Sequence, residues 1–252
     1  MQNLQLTVDH IKTEFSQKSI LLKEFDYNLN EFIAKVNPKY LYRGEKIYPT
    51  TKSNYHRLAI TNSERDELNN YILDISISMM ESFFGIVPNT DPTYKPRIFQ
   101  IGAFLQHYGF PIMWLDFTED IEIAAFFASY KNNTGKGKIW IIETQHLIEN
   151  GEKIMKLENT LAKRPTLQKA YALRMFDDKP DFQNAEHFKK NKIDFDVSID
   201  DIKYFDKQSL LCTGSDQISD FIINYIEEKY IHEGFLKNLL LKIKNELKTL
   251  QN

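Results

Sequence analysis

Polar side chains able to do chemistry concentrate in one stretch of the 252-residue chain, from Arg97 to Ala128. Gln106-His107-Tyr108-Gly109 closes an apolar segment, and Pro111 follows. Asp116-Phe117-Thr118 then ends a short apolar run just before Ala124-Ala125-Phe126-Phe127-Ala128. His107 is a candidate general base, Asp116 a candidate negative charge, and Thr118 a hydroxyl able to orient a neighbour. Polar groups set this directly against apolar elements are how a site is mounted on a core. Structural uses compete with each reading. A histidine at a helix end meets the helix dipole favourably, a tyrosine such as Tyr108 is commonly core, and Asp or Thr ahead of Glu119 suits an N-cap. The residues alone leave both open.

Several chemistries are excluded. The six histidines lack the spacing that places two metal ligands on one helix face, so no metal is expected. There is no glycine-rich phosphate loop and no Gly-x-Ser-x-Gly elbow. The acidic runs at 178–181 and 194–201 lack the central glycine of a calcium loop. A single cysteine, Cys212, rules out an intrachain disulfide and a cysteine-based zinc site. With 42% hydrophobic and 27% charged residues and a net charge of −3, the chain reads as one large core with no overall basic field for nucleic acid. The N-terminus shows no cationic segment followed by an apolar run, and no apolar run approaches a membrane span, so a cytoplasmic protein without a membrane partner is expected.

The elements that must position these groups follow from periodicity. Leu4, Val8, Ile11, Phe15, Leu21, Leu22 and Phe25 lie at helical spacing and predict one or two amphipathic helices over residues 4–36, an N-terminal helical extension 1–38. Tyr40-Leu41-Tyr42-Arg43-Gly44 reads as a strand ending at a glycine, and Tyr48-Pro49-Thr50-Thr51 as a loop. A helix over Glu64 to Phe84 with Ser63 as cap, a loop from Pro88 to Pro96, and a helix from Arg97 to Tyr108 stopped by Gly109 come next. Strands are expected at Trp114 to Phe117, Gly137 to Glu143, Leu167 to Met175 and Ile193 to Ile199, with a helix over Glu119 to Tyr130. The result is a single α+β domain, with a mixed β core at 40–210 and C-terminal helices at 214–252. Phe235, Leu236, Leu239, Leu240, Ile243, Leu247 and Leu250 form a stripe expected to pack on the domain first and to make a homodimer second.

Taken in order, these residues resemble the FRG-domain family. Tyr42-Arg43-Gly44 stands for its Phe/Tyr-Arg-Gly, Tyr48-Pro49 for its Tyr-Pro element, and Gln106-His107-Tyr108-Gly109-Phe110-Pro111 with Leu115-Asp116-Phe117-Thr118 for its main block. The helix Ala124 to Ala128 and an Arg-x-x-x-Gln element at Arg164 and Gln168 complete the match over about residues 40–176. Ile112-Met113 replaces a Thr-Arg common in the family. The resemblance implies bacterial conflict or phage-defence contexts.

The element order is similar, more weakly, to the ADP-ribosyltransferase fold, a split sheet. That likeness implies NAD as substrate. Arg43 takes the place of the first-strand arginine, Thr118 of the second-strand hydroxyl, and Gln168 of the last-strand glutamate. An arginine fork holds a pyrophosphate bidentately. An amide at Gln168 supplies hydrogen bonds but no charge for a developing oxocarbenium ion, a deficit Asp116 would make good if it faces the cleft. On this reading Arg43, Thr118, Gln168 and Asp116 are catalytic, and Arg43, Gly44, Tyr48, His107 and Tyr108 bind the nucleotide. The expected function is an NAD-dependent ADP-ribosyltransferase-like enzyme or NAD-consuming toxin. A protein or nucleic-acid acceptor and an antitoxin or sensor would be its partners. The alternatives are a non-catalytic module recognising a nucleotide, nucleic acid or protein, and a metal-independent RNase using His107 or His56 as base.

Overall fold

The computed structural model describes residues 3–26, 31–46, 53–86, 94–152, 154–157, 161–175, 190–198, 201, 208–211, 216–229 and 234–251. Helix α1 (Leu4–Glu14) is capped by Asn3, whose side chain accepts from the Leu6 N–H, and it buries Leu4, Val8 and Ile11. The helical pattern then fails. Strands β1 (Ser19–Asp26) and β2 (Glu31–Pro38) form an antiparallel ribbon of their own. Leu21 and Leu22 satisfy helical spacing only over a window too short to separate the two periods, and the β-branched Ile20, Ile33 and Val36 tip the segment to strand. The Gln17 side chain secures the entry, accepting from the Tyr40 N–H and donating to the Tyr40 carbonyl.

The main sheet begins with β3 (Tyr40–Lys46) and is completed by β4 (Trp114–Thr118), β5 (Lys136–Glu143), β6 (Ile154–Lys156), β7 (Ala170–Arg174) and β8 (Lys190–Asp196). Its order is β6-β7-β4-β3-β5-β8. Every strand pairing among the described residues of this sheet is antiparallel, so the core is not the mixed sheet expected. β3 pairs with β5 over seven residues from Tyr40↔Glu143 to Lys46↔Gly137, yet meets β4 at the single pair Tyr42↔Thr118. The two central strands therefore diverge, and the sheet is open between them.

Helix α2 (Asn62–Phe84) starts at Thr61 rather than Ser63, because Thr61 and Glu64 close a reciprocal capping box. Helix α3 (Tyr94–His107) stops at Gly109, whose φ of 97° carries the chain into the left-handed region. After β4 comes α4 (Ile121–Ser129), capped by Asp120, not by Asp116 or Thr118. Two short helices, α5 (Thr144–Glu149) and α6 (Lys163–Leu167), flank β6. The C-terminal pair, α7 (Gln217–Glu228) and α8 (Phe235–Gln251), packs with α2 and α3 around Leu68, Ile75, Phe104, Tyr108, Leu240 and Ile243. The α8 stripe is thus covered by the chain's own helices. Among the described residues no helix is long and apolar enough to cross a membrane, and no group of acidic, histidine or cysteine residues has metal-site geometry.

Packing explains where the opening lies. One face of β3 and β5 (Tyr40, Tyr42, Ile139, Ile141) is covered by α1 and α4. The matching face of β4 and β7 (Trp114, Ala170, Ala172) is covered by the helical cluster. Two separate layers on one sheet face leave a gap at their boundary, over the place where β3 and β4 part.

Candidate functional site

A cavity of about 340 Å³ occupies that gap. β3 contributes five consecutive residues, Tyr42 to Lys46. Side-chain alternation would forbid this on a closed sheet, so the cavity passes into the split itself. The end of α3 supplies Gln106 and His107, β4 supplies Asp116 and Thr118, α4 supplies Ala124 and Phe127, and Arg164 and Gln168 come from α6 and its C-cap. Arg43, Gly44, His107, Asp116, Thr118 and Gln168, expected at one site from four separate segments, share this wall. Tyr48 lies outside the described residues. Tyr108 points elsewhere: its hydroxyl donates to buried Asp216 Oδ2 at 2.6 Å, which locks α3 to the cap of α7. His56 bonds Ser53 and lies off the cavity wall.

Arg43 is held on two edges. Its Nε donates to Glu45 Oε1 at 2.7 Å, and a terminal nitrogen donates to the Asp116 carbonyl at 2.7 Å, clasping β3 to β4 across the split. The ion pair is with Glu45, two residues along the same strand. Glu45, side chain 6% exposed, also accepts from Trp140 Nε1 at 3.2 Å and lies 3.4 Å from Lys138 Nζ. Sequence reading missed it; Arg43, Glu45 and Lys138 sharing one face across paired strands was the available signal. Arg57 and Lys46 add further cationic lining.

Thr118 and Gln168 are engaged with the protein. Thr118 Oγ1 donates to the Gln168 carbonyl at 2.9 Å and accepts from the Asp120 N–H. Gln168 is not on a strand: it caps α6 ahead of β7, and Lys169 at φ 45° makes the turn. Its side-chain Nε2 donates to the Leu210 carbonyl and its Oε1 meets His107 Nδ1, both at 2.8 Å. Tyr42, shared with a neighbouring cavity, donates its hydroxyl to the Phe15 carbonyl, and burial pushes its phenol up to about 12, so it remains a donor at physiological pH.

The family model for the FRG domain matches residues 38–137. The chain carries an FRG domain. The matched segment runs from the end of β2 to the start of β5, and so includes Arg43, Gly44, His107, Asp116 and Thr118, while Arg164 and Gln168 lie beyond it. No match was found among curated proteins or solved structures.

The cleft, which the FRG domain forms together with residues beyond it, sorts its hydrogen-bonding capacity. Arginines 43, 57 and 164 bring donors and positive charge. Gln106 Oε1, His107 Nε2 and Asp116 Oδ1 are buried acceptor positions with no hydrogen-bond partner among the described residues. His107 Nε2 and Asp116 Oδ1 stand 3.3 Å apart, without hydrogen-bond alignment. Unpaired buried acceptors are costly, and a ligand that donates to them recovers that cost.

Proposed function

We propose that the cleft binds NAD and breaks the bond between nicotinamide and ribose, delivering ADP-ribose to an acceptor or to water. The observation that carries this reading is the pairing of guanidinium groups with unpaired acceptors in one cavity opened by the sheet split. A ligand that satisfies both has anionic oxygens at one end and hydroxyl or amide N–H donors at the other, as a ribose phosphate does. A cavity of about 340 Å³ is at the small end for a ligand site, roughly 300–1,000 Å³, so it takes the nicotinamide ribose and a phosphate, with the adenosine toward the open side. Convergence of Arg43, Thr118 and Gln168 on one split supports the likeness to ADP-ribosyltransferases.

The roles shift among them. Gln168 uses its amide on the protein, and Thr118 holds Gln168. The charge that stabilises an oxocarbenium ion falls to Asp116, whose side chain is 38% exposed and lines the cavity. Asp116→Asn is expected to lower nicotinamide release about 100-fold while NAD affinity, read by calorimetry, changes little. Unchanged release in the variant, or wild type that does not bind NAD, would contradict the reading. One observation favours a recognition module instead: with Gln168 bonded at both ends of its amide, the position of the usual glutamate offers nothing to the ribose. Tight NAD binding by wild type without nicotinamide release would support that module.

A further inference from the structure

We infer that His107 is the base of this cleft, receiving a proton at Nε2 from an attacking hydroxyl, and that Gln168 is the residue that positions it by fixing its tautomer. The nature of the substrate rests on the NAD reading above; the tautomer and its cause do not.

The bonds force the assignment. The Leu210 carbonyl can only accept, so the Gln168 NH₂ faces it at 2.8 Å. Gln168 Oε1 is thereby turned toward His107 Nδ1, also at 2.8 Å, and an amide oxygen can only accept. His107 Nδ1 must therefore carry hydrogen, which in the neutral ring leaves the lone pair on Nε2. Gln168 is itself anchored, its N–H to the Arg164 carbonyl at 3.1 Å and its carbonyl to Thr118 Oγ1. The His107 backbone is held by an Arg164 terminal nitrogen donating to its carbonyl at 2.6 Å. The imidazole, 3% exposed, is thus fixed from two sides.

His107 and Asp116 both line the cavity, and Nε2 lies 3.3 Å from Asp116 Oδ1, both atoms buried and unpartnered among the described residues. A proton arriving at Nε2 turns this contact between two acceptors into an attraction between imidazolium and carboxylate. Among the described residues the other charges lining the cavity are Arg164 from α6, Arg57, and, across the split, Lys46, Arg43 and Glu45 from β3, the last two paired with each other. The step balances without metal or oxidant. The oxygen of an acceptor hydroxyl or water bonds to the ribose anomeric carbon while the carbon–nitrogen bond breaks. Its electron pair returns to the nicotinamide ring and cancels the ring's positive charge, and the hydroxyl proton passes to His107 Nε2. Asp116 serves both the forming oxocarbenium ion and the forming imidazolium.

Imidazole nitrogen shifts of the full ¹⁵N-labelled chain test the positioning, and nicotinamide release tests the base. The expected spectrum has the neutral His107 ring protonated at Nδ1, and Gln168→Leu is expected to relax that preference and lower kcat toward the level of His107→Gln. His107→Gln is expected to lower kcat at least ~100-fold with KM within ~3-fold. A ring protonated at Nε2 in wild type overturns the proposal whether or not NAD is consumed, as does a His107→Gln variant with wild-type kcat. Wild type that releases no nicotinamide while showing the Nδ1–H ring removes NAD as the substrate and leaves the positioned base standing.

Discussion

Gly44→Ala is expected to cost about 3 kcal/mol or more, a large share of the roughly 5–15 kcal/mol that holds a domain folded. The glycine of the Tyr-Arg-Gly element has no positive φ to require it; its role is steric. A Cβ at position 44 would overlap the carbonyl of Ala124 and crowd the Ala128 N–H. The obstacle is backbone, so no side-chain rotation relieves it. α4 would have to lift from β3, opening the layer that holds Leu4, Val8, Tyr42 and Ile139. Since Gly44 and Ala124 both line the cavity, the same movement would deform the site. Urea unfolding measures the effect, and a loss below about 1 kcal/mol would show that α4 and β3 are not held at this distance. Gly44 therefore enters the site as the residue that lets α4 close on Arg43's strand, not as a group that touches a ligand.

Glu45→Ala is the second large effect, expected to cost about 3–5 kcal/mol. Glu45 meets Arg43 Nε at 2.7 Å, Trp140 Nε1 at 3.2 Å and Lys138 Nζ at 3.4 Å, with both lysine and glutamate side chains almost fully buried. Alanine removes one negative charge and leaves two buried cations facing each other, a worse outcome than replacing the whole group with apolar side chains. Lys138 keeps some compensation from the Trp140 ring, 5.5 Å away. The functional effect goes with it, since Glu45 sets the direction of the guanidinium that spans the split. Denaturant unfolding should show the loss, and NAD affinity should fall in whatever fraction remains folded. A variant as stable as wild type would mean that the cations find solvent, and that the cavity is more open than the structure shows.

Much of the site was legible because its residues belong to short local patterns. Tyr42-Arg43-Gly44, Gln106-His107 and Asp116-Phe117-Thr118 each sit where an apolar run meets a turn, and each turn was readable from Gly, Pro or a change of period. The antiparallel neighbours of β3 and the roles within the cavity were not, because they depend on partners distant in sequence. Tyr108 was expected to hold a ligand but finds Asp216, 108 residues away. Gln168 was expected on a strand, yet a short helix with Pro165 in its first turn runs there and closes at the Lys169 turn, and its amide is committed to His107 and Leu210. The β1–β2 ribbon was hidden by apolar residues compatible with either period over eight positions. The apolar stripe of α8, expected to pack on the domain first and in a homodimer second, lies against α2 and α7 through Leu240, Ile243 and Leu247, a docking that periodicity suggests but cannot distinguish from a second copy.

A crystal structure of the full chain with a non-cleavable carbocyclic analogue of NAD tests whether the split between β3 and β4 holds the dinucleotide. The pyrophosphate oxygens are expected against Arg43, Arg57 and Arg164, and the hydroxyls of the nicotinamide-side ring donating to Asp116, with His107 Nε2 toward the space from which a nucleophile would approach the anomeric position. An analogue bound away from the split between β3 and β4, or bound there with its phosphates remote from all three arginines, would contradict it.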